Sequence, residues 1–147
     1  MPRDVLRKIK SLSDVAQIAA DARSNGKQVV LCHGVFDLVH MGHVRHFQTA
    51  RKEGDILIVT LTTAKHVNKG PGRPIFNDDL RAEMLAALEQ IDWVAISPHP
   101  SAENVIEAIK PSVYVKGSDY ANPDDDVTGK IRHECDEVEK HGGRVVF

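Results

Sequence analysis

Short apolar runs alternate with longer amphipathic stretches along the whole chain. Ser11-Leu12-Ser13-Asp14 is a capping-box-like helix start, with Val15, Ile18 and Ala19 at helical spacing and Gly26 as the stop. Val29-Val30-Leu31-Cys32 is apolar at every position, which predicts a strand buried on both faces, as in a parallel sheet. After a turn through 33–41, a helix is expected from Gly42 to near Glu53, ended by Gly54. Asp55–Thr60 predicts a second strand, and 63–76 is a basic loop rich in Gly and Pro. Asn77 is a good cap for a helix carrying Leu80, Met84, Leu85 and Leu88. Trp93–Ile96 predicts a third strand, Ser101 caps a short helix ended by Pro111, and Val113–Val115 predicts a fourth strand. A helix over Val127–His141, with Val127, Ile131, Cys135 and Val138 as its apolar stripe, is closed by Gly142-Gly143 before a fifth strand starts at Arg144.

Strands alternating with helices predict an α/β, Rossmann-like architecture: a five-stranded parallel sheet with helices on both faces. Ligands of such sheets bind beyond the carboxyl ends of the strands, near the point where strand order reverses. The loops after strands one, two and four are therefore the segments to inspect. The length of 147 residues predicts one domain. Phe147 falls inside an apolar run, so the expectation is a single domain over 1–147 that is cut short at its C-terminus.

Composition narrows the function. With 41% hydrophobic and 27% charged residues the chain reads as an ordinary soluble globular protein. A net charge of −2 argues against sequence-independent binding of nucleic acid. No apolar run approaches the ~18 residues of a membrane span, and the polar start lacks a secretion signal. Cys32 and Cys135 stand far apart without a C-x-x-C spacing, and read as reduced thiols of a cytoplasmic protein.

The chemistry concentrates in His33-Gly34-Val35-Phe36-Asp37-Leu38-Val39-His40-Met41-Gly42-His43. Two histidines at i and i+3 bracket a glycine at a helix start, where unpaired N–H groups and the dipole favour an anion. Both imidazoles can face one point and stabilise charge growing on a phosphoryl oxygen. Surface histidines and zinc ligands are the competing readings; zinc would need a third ligand, and H-x-x-H lacks the spacing and glutamate of H-E-x-x-H. The absence of G-x-G-x-x-G after strand one argues against a dinucleotide site of the usual kind.

Gly34, Phe36, Asp37, His40, Gly42 and His43 fill every fixed position of G-x-F-D-x-x-H-x-G-H, and the chain thereby resembles the cytidylyltransferase-like nucleotidyltransferases. The resemblance runs on through Ala50–Val59, Lys69, Arg73-Pro74, Arg81–Leu85 and Val115–Tyr120. Within the family it is similar to glycerol-3-phosphate cytidylyltransferase and, more so, to the adenylyltransferase domain of heptose-1-phosphate enzymes. The cues for the latter are the A-L-E-x-I-D-W-V stretch at Ala87–Val94 and Val115–Tyr120, where Ser118 departs from that branch's glycine. The family's further phosphate-binding motif, of S-T-T type, follows the fifth strand, where this chain ends.

The resemblance implies transfer of a nucleoside monophosphate from an NTP, ATP first and CTP next, to a phosphorylated sugar or polyol, with pyrophosphate released. It assigns catalysis to His40, His43, Lys69 and Arg81. It assigns nucleotide binding to Gly34, Val35, Phe36, Asp37, Gly42, Lys116, Gly117 and Asp119. Asp37 is expected near the acceptor or ordering the phosphate loop, with a turn carboxylate as the alternative; Arg81 is expected on phosphate or acceptor, with a surface pair to Asp78 or Glu89 as its alternative. Mg²⁺ is expected to come with the NTP, held by phosphates and water, with no protein-held metal. A homodimer is implied as well. Two other readings stand beside this one: a flavin- or pantetheine-type adenylyltransferase with the same histidines, and a nucleotide-binding domain without turnover.

Overall fold

The computed structural model describes residues 4–67, 72, 74–116 and 130–147, with the side chains of 130 and 131 left aside. Its sheet has five strands, all parallel: β1 (Val29–Gly34), β2 (Ile56–Thr62), β3 (Trp93–Ser97), β4 (Val113–Val115) and β5 (Arg144–Val146), in the order β3-β2-β1-β4-β5. Helices α1 (Leu12–Ser24), α2 (Met41–Arg51), α3 (Asp78–Ala86), α4 (Ala102–Ile109) and α5 (Lys130–Lys140) fill the crossovers. The Rossmann-like expectation is met.

The pleat divides each strand's side chains between two cores. Val30, Cys32, Leu57, Val59, Val94 and Val113 pack under α2 and α3 with Phe47, Ala82 and Leu85. Val29, Leu31, Ile58, Ala95 and Tyr114 pack under α1, α4 and α5 with Val15, Val105, Ile106 and Val138. This is why the strands read as unbroken apolar runs.

Local chemistry fixes the helix starts. Ser11, Asn77 and Ser101 each accept a backbone N–H of the first turn, from Asp14, Leu80 and Glu103. Gly54 ends the α2 segment where a Cβ would meet the Gln28 carbonyl at 2.8 Å and Val30 at 2.7 Å.

Two details depart from the sequence reading. β1 continues through His33 to Gly34, because both residues pair with β2 at Thr60 and Leu61. In α5 it is Glu134, not Cys135, that is buried beside Val138; the expected start of that helix, 127–129, lies outside the described residues.

Strand order reverses at β1. β2 and β3 extend to one side of it, β4 and β5 to the other. The carboxyl ends of β1 and β4 thus flank the switch-point crevice. Among the described residues no helix is long and apolar enough to cross a membrane.

Candidate nucleotidyl-transfer site

The loop from β1 to α2 is held by its own aromatic residue. Phe36 takes a left-handed backbone conformation, with φ at 51°, a costly choice for a residue with a side chain. That turn drops its ring against Phe47, at 5.4 Å between centroids, and edge-on to His43 at 5.7 Å. The same ring fills the space over Gly34, where a Cβ would meet it at 3.0 Å.

His40 and His43 cap α2 reciprocally. His40 Nδ1 accepts the Gly42 N–H at 3.0 Å, and His43 Nδ1 accepts the His40 N–H at 3.2 Å. The rings stand 4.1 Å apart, centroid to centroid. A ring whose Nδ1 accepts carries its proton on Nε2 when neutral, so each histidine is fixed as an Nε2–H donor. Gly42 makes room for this: a Cβ there would meet His40 Cε1 at 2.7 Å. His40 is exposed and His43 half-buried. Two oriented N–H donors at a helix N-terminus suit an anion.

Asp37 and Arg81 work differently. Asp37 is 4% exposed and accepts the N–H groups of Ile75 and Phe76, at 2.8–3.1 Å, from the far end of the β2–α3 connection. It orders that connection against the loop, one of the two roles expected of it.

Arg81 corrects part of its expectation: the pair with Asp78 is present, but the side chain is fully buried rather than on the surface. Nε donates to the Phe76 carbonyl, Nη1 to the carbonyls of Val35 and Thr62, and Nη2 to Asp78 at 2.5 Å. Arg81 therefore ties the ends of β1 and β2 to the start of α3. Burial raises the Asp78 carboxyl, but hydrogen bonds from Thr63 and Ala64 and the Arg81 charge outweigh it and hold Asp78 below the ordinary carboxylate range.

On the other side of β1 lies a cleft of about 270 Å³ lined by His33, Gly34, Val35, Thr62, Lys116 and Glu134 among others. His33 faces it because it follows Leu31 on the α4–α5 side of the sheet. Its Nδ1 lies 2.7 Å from Thr60 Oγ1 and its Nε2 3.3 Å from Thr62 Oγ1. Burial, then the Lys116 charge, push the ring down to about 3, so His33 is neutral at physiological pH. His66, expected only on the lid, also lines the cleft. Cys32 is buried and its thiol is pushed up to about 12, chiefly by burial, so it is no nucleophile.

The structure thus brings together Gly34, Val35, Phe36, Asp37, His40, Gly42, His43 and Lys116. Lys69, Gly117 and Asp119 lie outside the described residues, as does Arg73. Glu134 was missed by the sequence reading. The available signal was a carboxylate at helical spacing from Ile131 and Val138, on a stripe otherwise apolar. Among the described residues no group of three or more His, Cys, Asp or Glu is arranged to hold a metal ion.

Comparison with known proteins bears on the family and the fold. The family described as Cytidylyltransferase-like matches residues 31–144. The chain is 42% identical over 145 residues, 97% of its length, to the bifunctional protein HldE of Trichlorobacter lovleyi. It is 41% identical over 140 residues to the protein of the same name from Geobacter sulfurreducens. It spans 28% and 27% of those two proteins. A lipopolysaccharide core biosynthesis protein from Thermoplasma volcanium shares the fold at a TM-score of 0.66 and 22% identity, over 82% of this chain and 93% of that one. Pantoate-beta-alanine ligase from Francisella tularensis shares it at 0.65 and 13% identity, over 94% and 65%. With its histidine-capped helix set at the switch point and most of its length matched, the chain belongs to the cytidylyltransferase-like family of nucleotidyltransferases.

Proposed function

We propose that this chain moves a nucleoside monophosphate from an NTP to a phosphorylated sugar or polyol and releases pyrophosphate. The observation that carries the reading is the pair of imidazoles 4.1 Å apart, each fixed through Nδ1 on the first turn of α2. An acceptor phosphate oxygen attacks the α-phosphorus in line. The new P–O bond forms as the bond to the bridging oxygen of the β-phosphate breaks, and pyrophosphate leaves with that electron pair. No covalent intermediate on the protein is required, so catalysis rests on positioning and charge stabilisation. His40 and His43 supply Nε2–H donors to the phosphoryl oxygens, and the helix start adds its dipole.

Lys69 is assigned to neutralise phosphate charge from the loop after β2, and Gly117 and Asp119 to contact ribose and base. These three roles rest on the family pattern. Mg²⁺ would arrive on the NTP, held by phosphates and water. ATP is favoured as donor because the relatives named HldE match the branch that the Leu88-Glu89 and Ile91–Val94 stretch resembles; CTP is the second choice. A reduced cytoplasmic setting and a homodimer complete the proposal.

Calorimetric titration with ATP, CTP and GTP in the presence of Mg²⁺, beside a His43→Ala variant, tests it. Selective binding of one nucleotide, weakened in His43→Ala, is expected. Equal or absent binding of all three contradicts the reading.

A further inference from the structure

The cleft beside His33 has a polar wall that includes Glu134, a carboxylate to which the transfer chemistry gives no role. Tyr114, fully buried in β4, donates its hydroxyl to Oε1 of Glu134 on α5. Lys116 lies two residues further along that strand's line. Its Nζ stands 3.3 Å from the same oxygen and 5.6 Å from the centre of the Tyr114 ring. Glu134 is only 7% exposed and forms part of the cleft wall. Its other oxygen, Oε2, receives no hydrogen bond from any described residue.

Burying a carboxylate is costly unless its oxygens are satisfied. Here one oxygen is satisfied twice over and the other is left to whatever enters the cleft. A carboxylate oxygen only accepts, so the visitor must bring a donor such as a hydroxyl. The rest of the wall agrees. His33 is a neutral ring, Thr62 and Ser101 carry hydroxyls, and among the described lining residues Glu103 and Glu134 set two carboxylates against the one ammonium of Lys116. Such a wall repels a second phosphate and suits an uncharged, polyhydroxylated body.

We propose that Glu134 is a specificity-determining residue that accepts hydrogen bonds from the hydroxyls of the acceptor's sugar or polyol portion. Tyr114 and Lys116 are positioning residues that hold its carboxylate. The acceptor's phosphate then points away from this wall, toward the histidine-capped helix. The inference rests on the transferase reading for the identity of the ligand as an acceptor.

The test is equilibrium binding of three phosphate monoesters that differ in hydroxyl content: mannose 1-phosphate, glycerol 3-phosphate and ethyl phosphate. Wild type is expected to bind the hydroxylated pair at least about tenfold more tightly than ethyl phosphate, as in a site built to pair substrate hydroxyls. Glu134→Gln should lose most of that preference while its ATP affinity stays within about twofold. Glu134→Asp keeps the charge but withdraws the carboxylate by one methylene; it should show the same loss even if Glu134→Gln melts early. Equal binding of all three esters by wild type overturns the inference, as does a preference that survives either variant. Pyrophosphate release with ATP is measured alongside: hydroxyl-selective binding without it counts against the transferase reading alone.

Discussion

Asp37 and His40 are three residues apart in one loop, yet the fold treats them in opposite ways. Asp37 is buried, and the backbone of Ile75 and Phe76 occupies its carboxylate. His40 is exposed and spends only Nδ1 on the protein, leaving its Nε2 edge as a donor. Arg81 extends the first pattern, since its guanidinium is committed to three carbonyls and Asp78. His43, half-buried, likewise accepts a backbone N–H through Nδ1. Charge in or near a signature motif therefore does not by itself mark chemistry: the buried charged groups hold two strand ends and a helix together, and it is the imidazoles that we propose meet the ligand.

Breaking the buried half should give the largest effect. Arg81→Ala removes the side-chain donor from the carbonyls of Phe76, Val35 and Thr62 and the buried charge that pairs with Asp78; the expected loss is about 3–5 kcal/mol of folding stability. Urea denaturation measures it. A loss below about 1 kcal/mol, with activity abolished, would instead place Arg81 on the ligand side. Gly42→Ala sharpens the exposed half. Its Cβ would press on the His40 ring, so turnover should drop by ~10²-fold while the melting temperature moves little. Steady-state rates beside a thermal melt separate the two outcomes.

Asp37→Asn comes next. It keeps the shape but trades a charge-assisted acceptor for a neutral amide, at an expected cost of about 1–2 kcal/mol, readable as a shift in the denaturation midpoint. A further test concerns His33 and pH. Its folded pKa, about 3, lies below the ordinary 6.5, so the unfolded chain binds a proton that the folded one refuses. The stability contributed by the neutral ring is intact above about 6.5 and is lost as pH falls toward 3, by at most about 1.4 kcal/mol per pH unit. Melts of wild type and His33→Gln from pH 7 to 4 should converge in the acid range. Parallel curves would contradict this.

The sheet was legible because strands buried on both faces leave a continuous apolar run, as at 29–32 and 56–59, and because Ser11, Asn77 and Ser101 punctuate the helices that follow. The histidine pair was legible because a helix start fixes the geometry of i and i+3. Arg81 was not. Its partners at Val35 and Thr62 are brought to it only by the packing of α3 on β1 and β2, and nothing local distinguishes it from an exposed arginine. Asp37 bonds a backbone 38 residues away, which no local spacing encodes. Glu134 escaped for a related reason. The helical stripe is read by its apolar members, and a carboxylate on it finds its meaning only from Tyr114 and Lys116 on a strand across the crossover.

The most direct measurement is the single-turnover rate of pyrophosphate release from ATP with a sugar 1-phosphate, compared between wild type and His43→Ala at saturating substrates. The account predicts a rate lowered by about 10²–10³, with the fold intact by circular dichroism, because a donor to the transition-state oxyanion is gone. A rate within a few-fold of wild type would show that the imidazole pair only caps its helix.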